Sequence, residues 1–215
     1  MSTDRTIDTA SATGWLREFA RIIGENAQYL TDLDAAVGDA DHGINMDRGM
    51  KAVIAALDDA APADLPALFK KVGMTLVSSV GGASGPLYGT LFLRMAPAFG
   101  ADAADPAEFA KALRAGVDGV VARGRAEAGD KTMFDALAPA LDAFDGALAA
   151  GKDLASALTD ASAAAEKGRD GTESMVARKG RASYLGQRSV GHIDPGATSS
   201  AMLIAAAATA FGASG

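Results

Sequence analysis

Three carboxylates lie within a span of eight residues near the start of the chain. Asp34, Asp39 and Asp41 belong to the stretch LDAAVGDADHG, which also contains Gly38 and Gly43. Carboxylates this close together repel one another unless a cation lies among them. Hard divalent cations such as Mg²⁺ bind oxygen ligands, usually a few carboxylates together with phosphate oxygens and water. The stretch therefore predicts a Mg²⁺ site with open positions for a phosphorylated ligand.

The acidic stretch has two alternative interpretations besides a magnesium site. Asp residues in a Gly-containing loop often serve only as turn and helix N-cap residues, and the pattern alone leaves this alternative open. A Ca²⁺ loop of the EF-hand type is excluded, because it needs a third oxygen ligand at its fifth position and Glu at its twelfth. Counted from Asp39, those positions hold Gly43 and Met50.

A glycine cluster, GGASGP from Gly81 to Pro86, is a second candidate for ligand binding. It precedes a segment with helical spacing, and backbone N–H groups at a helix N-terminus favour phosphate. Ser84 would add a hydroxyl donor. The alternative is a tight turn between two helices, which uses the same residue types.

The segment 177–196, called the basic loop below, concentrates cations in a chain that is otherwise acidic. Arg181 lies within it, and a guanidinium suits both stacking on an adenine ring and bidentate pairing with phosphate. Exposed cations that balance an acidic surface are the alternative. At the end of the segment, Asp194-Pro195-Gly196 predicts a turn directly before the last helix, from which its carboxyl and amide groups could face a ligand.

The chain has two histidines, His42 and His192, and no cysteine. A zinc site would need more ligands of these types. A hydrolytic triad of Ser84, His192 and Asp194 is disfavoured, because GGASGP is not the G-x-S-x-G elbow. Neither G-x-x-x-x-G-K-[ST] nor G-x-G-x-x-G occurs, so a nucleotide would have to bind through the carboxylates and helix ends.

The segments between these loops predict helices. Trp15, Phe19, Ile22 and Leu30 fall near helical spacing and predict one first helix that ends at about residue 32. Hydrophobic residues make up 49% of the chain and only 6% are aromatic, while alanine, the best helix former, is abundant. We count about eight helices, no segment with a period of two and no change of composition. The expected fold is therefore all-α, as a single domain over residues 1–215.

The net charge of −7 argues against a nucleic-acid partner, which would need a basic face. The absence of cysteine excludes a disulfide framework. The first ten residues show no apolar core of a signal peptide, and no run approaches the roughly 18 apolar residues of a membrane span. The sequence therefore favours a cytoplasmic protein that does not enter the membrane.

Four motifs in this order resemble one family over nearly the whole chain. They are VGDADHGINM, GGASGPLYGTLF, GDKTMFDAL and RKGRASYLGQRSVGHIDPGATS. Together they are similar to the nucleotide-binding L subunits of dihydroxyacetone kinase. The resemblance implies an antiparallel eight-helix barrel with a nucleotide bound in the loops at one end.

The resemblance also implies roles for individual residues. Asp34, Asp39 and Asp41 would form the catalytic centre by holding two Mg²⁺ ions that bridge the phosphates of ADP or ATP. Met133 would lie against the base, since its soft apolar side chain suits an aromatic ring. The expected nucleotide contacts are His42, Gly43, Ile44, Asn45, Ala83, Ser84, Gly124, Met133, Arg181, Asp194, Pro195 and Gly196.

The resemblance implies partners as well. The family's ketone-binding K subunit has no counterpart in this sequence, so we expect the chain to act in a complex with it. In one version of the family, a phosphohistidine donor of the phosphotransferase system (PTS) phosphorylates a resident ADP, and the phosphoryl group passes to dihydroxyacetone. The alternatives are an ATP-dependent kinase subunit for a related ketose and a nucleotide-loaded regulatory module. The oligomeric state stays open, with a homodimer among the options.

Overall fold

The computed structural model describes residues 6–100 and 103–212, and the described part is helical. Within the described residues, three 3₁₀ segments lie at Ala96–Ala98, at Thr172–Ser174 and, inside the basic loop, at Arg181–Ser189. The α-helices are α1 (Thr9–Glu25), α2 (Ala27–Val37), α3 (His42–Asp59), α4 (Leu65–Ser79), α5 (Ser84–Met95), α6 (Pro106–Gly124), α7 (Phe134–Ala149), α8 (Leu154–Gly171) and α9 (Pro195–Gly212).

Eight of these helices form a closed antiparallel ring. From α3 to α9 each helix packs against the next in sequence, and α1 closes the ring by packing between α9 and α3. Short connections of this kind place consecutive helices side by side with opposite directions. The remaining helix, α2, packs across α3 and α9. The expected eight-helix barrel is confirmed, with α2 as an addition to it.

Aromatic side chains from five helices fill one part of the barrel interior. Trp15 of α1 is fully buried, and its ring contacts Phe69, Phe92, Phe109 and Phe211 at centroid distances of 5.5–6.2 Å. The indole N–H donates to the backbone carbonyl of Leu203 over 3.0 Å. A buried Trp N–H needs such an acceptor. This cluster joins α1, α4, α5, α6 and α9, so it holds the ring closed.

The prediction of one continuous first helix was wrong. The helix is interrupted at Asn26, whose side-chain Nδ2 donates to the carbonyl of Ile22 over 2.8 Å. Its backbone N–H donates to Ile22 and Ile23 in the same place. An Asn that bonds to nearby backbone groups competes with helix continuation. The break releases α2 as a separate helix, and Asp34 lies on its last turn.

The last helix begins earlier than the sequence predicted. The expected turn at Asp194-Pro195-Gly196 is the start of α9, with Pro195 as its first residue. The Asp194 carboxylate accepts a hydrogen bond of 2.7 Å from the N–H of Ala197. Asp before Pro at the first helical position is a helix start signal. Among the described residues, no helix is both long and apolar enough to cross a membrane.

Candidate functional site

The acidic loop between α2 and α3 folds back on itself. Asp34 accepts hydrogen bonds at Oδ2 from the backbone N–H groups of Asp41, over 2.8 Å, and His42, over 3.2 Å. Ala40 has a φ of 60°, in the left-handed region that residues with a Cβ rarely adopt. This turn brings Asp39 and Asp41 next to Asp34, with one carboxylate oxygen of each within 4.8 Å of the others.

Gly38 makes room for the buried carboxylate of Asp34. A Cβ at Gly38 would overlap the Oδ1 atom of Asp34, so any larger residue there would push the carboxylate out of place. Asp34 itself is 8% exposed, whereas Asp39 is open to solvent. The three carboxylates therefore form a cluster with one buried and one exposed end.

A cation of the basic loop already contacts this cluster. The guanidinium Nη2 of Arg181 lies 3.1 Å from Oδ2 of Asp39, and the Arg181 side chain is 68% exposed. An ion pair this exposed contributes little free energy. A divalent cation can therefore displace Arg181 from Asp39 at small cost, which leaves the guanidinium available for a phosphate.

His42 lies beneath the carboxylates and is hydrogen-bonded at both ring nitrogens. Its Nδ1 lies 3.0 Å from the Ser84 hydroxyl, and its Nε2 lies 2.9 Å from the Ser199 hydroxyl. Burial lowers the pKa of His42, and the nearby charges of Asp34 and Asp41 oppose this effect in part. The ring is therefore held rigidly against α5 and α9.

A cavity of about 420 Å³ opens beside the carboxylates at one end of the barrel. Its polar side carries the three Asp side chains and the N-terminal ends of α3, α5 and α9. Its apolar side is formed by Leu87, Val120 and Met133. Among the predicted binding residues, it is lined by His42, Ala83, Ser84, Gly124, Met133, Arg181, Asp194, Pro195 and Gly196.

Three of the residues expected at the nucleotide do not line this cavity. They occupy the first turn of α3: Gly43 packs against α2, Ile44 is 57% exposed, and the Asn45 amide oxygen accepts from Arg48 over 2.7 Å. The assignment of these three residues as nucleotide contacts stays a prediction.

Lys131 is a cavity residue that the sequence analysis missed. It is 1% exposed, and its ammonium group donates to the carbonyls of Ser189, over 2.6 Å, and Met175, over 3.2 Å. Burial lowers its pKa. Met175 precedes the basic loop, and Ser189 lies within it on the C-terminal side of Arg181. Lys131 therefore holds the chain on both sides of Arg181. The residues next to Lys131 in the sequence do not predict contacts with carbonyls 44 and 58 positions away.

Replacing Lys131 with Met is expected to loosen the basic loop. The carbonyls of Ser189 and Met175 would lose this donor, and a buried carbonyl such as that of Ser189 costs about 1–3 kcal/mol when left unsatisfied. Trypsin should then cleave the loop at Arg178 to Arg188 at least several-fold faster than in the wild type, as measured by mass spectrometry of the fragments. Lys51→Met, on the exposed surface of α3, is the matched control. Equal cleavage rates would show that Lys131 does not hold the loop.

Asp194 is a buried carboxyl group at the opposite wall of the cavity. Burial raises its pKa to about 7, although the N–H of Ala197 and the charge of Lys131 lower it in part. The group is 8% exposed. It therefore stays largely protonated in the folded protein below neutral pH.

Asp194→Asn is expected to flatten the pH dependence of stability. Between pH 3.8 and about 7 the folded protein keeps a proton that the unfolded chain has lost. The free energy of unfolding of the wild type should therefore decrease over this range, by roughly 4 kcal/mol at most. Urea denaturation at several pH values should show that the free energy of unfolding of the variant rises relative to that of the wild type as the pH increases. Parallel profiles would contradict the assignment of a raised pKa to Asp194.

Comparison with known proteins gives one consistent picture. Residues 36–209 match the model of the DAK2 domain family. The chain is 47% identical, over 92% of its length and 94% of the relative, to the "PEP-dependent dihydroxyacetone kinase 1, ADP-binding subunit DhaL" of Listeria innocua. It is 46% identical, over 93% of each chain, to the "PEP-dependent dihydroxyacetone kinase, ADP-binding subunit DhaL" of Escherichia coli.

A solved structure agrees with these relatives. The dihydroxyacetone kinase of C. freundii, in complex with AMP-PNP and Mg²⁺, superposes with a TM-score of 0.72 at 27% identity. The match covers 97% of this chain but only 36% of the longer kinase chain.

Proposed function

Because the chain belongs to the DAK2 domain family, we propose that it is the nucleotide-binding subunit of a dihydroxyacetone kinase, a phosphotransferase. The observation that carries the proposal is the carboxylate cluster at the mouth of a cavity into which three helix N-termini point. Anionic phosphates are stabilised at helix N-termini, while the carboxylates require cations. A Mg²⁺-nucleotide satisfies both requirements at once.

The acidic residues fit Mg²⁺. Ligand oxygens around one Mg²⁺ lie within roughly 4.2 Å of one another, twice the usual bond length. Oxygens of Asp34, Asp39 and Asp41 already lie within 4.8 Å, so small side-chain rotations would suffice. We propose these three residues as the metal ligands, for two ions. When bound, the metal would neutralise phosphate charge and hold the phosphates in line for transfer.

The other cavity residues would bind and orient the nucleotide. Ser84 and the first turn of α5 offer hydroxyl and N–H donors to the phosphates, and the first turn of α9 offers more from the opposite wall. Met133 and Leu87 offer an apolar surface for the base. Arg181, whose guanidinium pairs with the exposed carboxylate of Asp39, can turn to a phosphate oxygen. Phosphoryl transfer depends mainly on such positioning and charge neutralisation.

We also propose two partner proteins. The relatives' names describe a PEP-dependent kinase, and an ADP-binding subunit in such a system needs a phosphoryl donor and a separate ketone-binding subunit. The donor would be a phosphohistidine protein of the PTS, whose P–N bond breaks as the β-phosphate oxygen of bound ADP takes the phosphoryl group. The γ-phosphoryl group would then pass to a hydroxyl of dihydroxyacetone on the K subunit, which regenerates ADP.

Mass spectrometry of the natively purified protein tests the resident nucleotide, which should be ADP in near one-to-one amount. A reconstituted assay with a K subunit and the donor system should then form dihydroxyacetone phosphate without added ATP. A protein that carries no nucleotide, and that turns over only with free ATP, would identify the ATP-dependent version instead. Failure to bind either nucleotide with Mg²⁺ would overturn the proposal as a whole.

A further inference from the structure

The carboxylate of Asp135 reaches back from α7 into the loop that precedes this helix. It is buried, and it accepts hydrogen bonds from two backbone N–H groups, that of Gly129 at Oδ1 over 2.5 Å and that of Thr132 at Oδ2 over 2.8 Å. The backbone N–H of Asp135 in turn donates to the Thr132 carbonyl over 3.0 Å. Thr132 and Asp135 are thus joined by two hydrogen bonds, and the short turn between them carries Met133.

The loop that Asp135 holds has an unfavourable backbone conformation. Lys131 has a φ of 64°, in the left-handed region that residues with a Cβ rarely adopt. Such a conformation persists only where the surrounding structure enforces it. The two N–H groups that are bonded to Asp135 lie on either side of Lys131 in the chain. The carboxylate of Asp135 therefore helps to keep the loop in this conformation.

Met133 depends on this turn for its place in the cavity. Its side chain belongs to the apolar wall, whereas Asp135 does not line the cavity. Met133 directly precedes α7, so its position follows from the way in which the loop meets the helix. On the helix side, the Met133 carbonyl accepts from the N–H of Leu137 over 3.0 Å. On the loop side, Asp135 fixes Thr132, the residue before Met133.

We propose that Asp135 is a positioning residue for the nucleotide base, because its carboxylate fixes the turn that presents Met133 to the cavity. The inference rests on the proposed function, since it assumes a nucleotide whose base lies against Met133. It divides the site into two parts. The acidic cluster between α2 and α3 would bind the phosphates through a metal, whereas Asp135 would act on the base through Met133. A defect at Asp135 should therefore weaken ligands that carry a base and spare ligands that lack one.

Asp135→Asn tests this division, because both carboxylate oxygens accept a hydrogen bond. Whichever way the new amide is turned, its NH2 group faces one of the two backbone N–H groups, and two donors cannot bond to each other. We expect the affinity for Mg²⁺-ADP to fall about 10-fold, equivalent to one hydrogen bond. The affinity for Mg²⁺-pyrophosphate, which has no base, should stay unchanged. Titration calorimetry measures both affinities.

Asp153→Asn is the matched control for this variant. Asp153 also accepts from a backbone N–H at the start of a helix, that of Ser156 over 2.8 Å, but it belongs to α8 and does not line the cavity. Its substitution should change neither affinity. An Asp135→Asn protein with the wild-type affinity for Mg²⁺-ADP, or with equal losses of affinity for ADP and pyrophosphate, would overturn the inference.

The position of Met133 can be followed directly by NMR of ¹³C-labelled methionine methyl groups. The chain has eight methionines, and Met133→Leu identifies the Met133 signal by its loss. In the wild type, ADP should shift this signal through the ring current of the base, and pyrophosphate should shift it much less. In Asp135→Asn, the signal of the free protein should move and the shift caused by ADP should shrink. This signal decides the test where pyrophosphate binds too weakly to titrate, and an unchanged Met133 signal in the variant would overturn the inference.

Hydrogen exchange of the wild-type protein keeps the inference testable if Asp135→Asn does not fold. The backbone N–H groups of Gly129 and Thr132 should exchange about 10²-fold more slowly than in an unstructured peptide, because the carboxylate of Asp135 binds them. Free exchange of both groups would contradict the role of Asp135. Wild-type protein that binds no nucleotide would instead contradict the proposed function.

Discussion

Asp39→Asn and Asp41→Asn are each expected to weaken Mg²⁺ and ADP binding together and to reduce phosphoryl transfer by on the order of 10²–10³-fold. Each substitution removes a negative charge and replaces one of the two carboxylate oxygens by an NH2 group, in a cluster whose oxygens lie within 4.8 Å. Nucleotide binding should weaken together with metal binding, because carboxylates that remain without a cation repel the phosphates of the nucleotide. Titration calorimetry with Mg²⁺-ADP, followed by the reconstituted assay, measures both effects.

Asp32→Asn is the matched control for these variants. Asp32 lies on the same helix as Asp34 but outside the carboxylate cluster; it is exposed, and its carboxylate accepts from Gln28 over 2.8 Å. Its substitution should leave binding and transfer unchanged. Unaltered affinity for Mg²⁺-ADP in both Asp39→Asn and Asp41→Asn would place the metal elsewhere. Loss of nucleotide binding with intact metal binding would separate the two events and contradict a shared site.

Gly43→Ala is expected to damage both the fold and the binding site. A Cβ at Gly43 would overlap the carbonyl oxygen of Ala27 and approach Thr31 Oγ1 to 2.6 Å. Because backbone atoms of α2 form part of this contact, α2 must move away from α3. We expect the free energy of unfolding to fall by about 3 kcal/mol. Since Asp34 lies at the end of α2, affinity for Mg²⁺-ADP should fall as well.

Urea denaturation measures the first effect and calorimetry the second. Gly14→Ala is the control, because Gly14 lies inside α1 with no atom within 4 Å of the added Cβ. That substitution should leave binding intact and stabilise the helix by up to about 1 kcal/mol. A Gly43→Ala protein that matches the wild type in both measurements would show that the α2–α3 junction is not closely packed.

Local rules of chain geometry account for what the sequence alone determined. Helical spacing predicted the helices, because residues three and four positions apart share one face of a helix. The density of Asp34, Asp39 and Asp41 predicted their cluster, because carboxylates this close in sequence can be brought around one cation by a single turn of the chain. The order of four motifs indicated the family and therefore the barrel. Helical spacing and carboxylate density each depend on a few neighbouring residues, and the family resemblance depends on the order of motifs along the chain. All three can be read without knowing the tertiary structure.

Only the tertiary structure decided which distant residues meet. The helix breaks at Asn26 because its side chain donates to a backbone carbonyl. The helical spacing of apolar residues continues across Asn26 and so does not reveal the break. In the sequence, nothing distinguishes Lys131 from an exposed loop lysine. The fold buries it against carbonyls 44 and 58 residues away. His42 meets Ser199 across 157 residues because α3 and α9 begin at the same end of the barrel. Contacts of this range come from the closure of the ring, which no local pattern records.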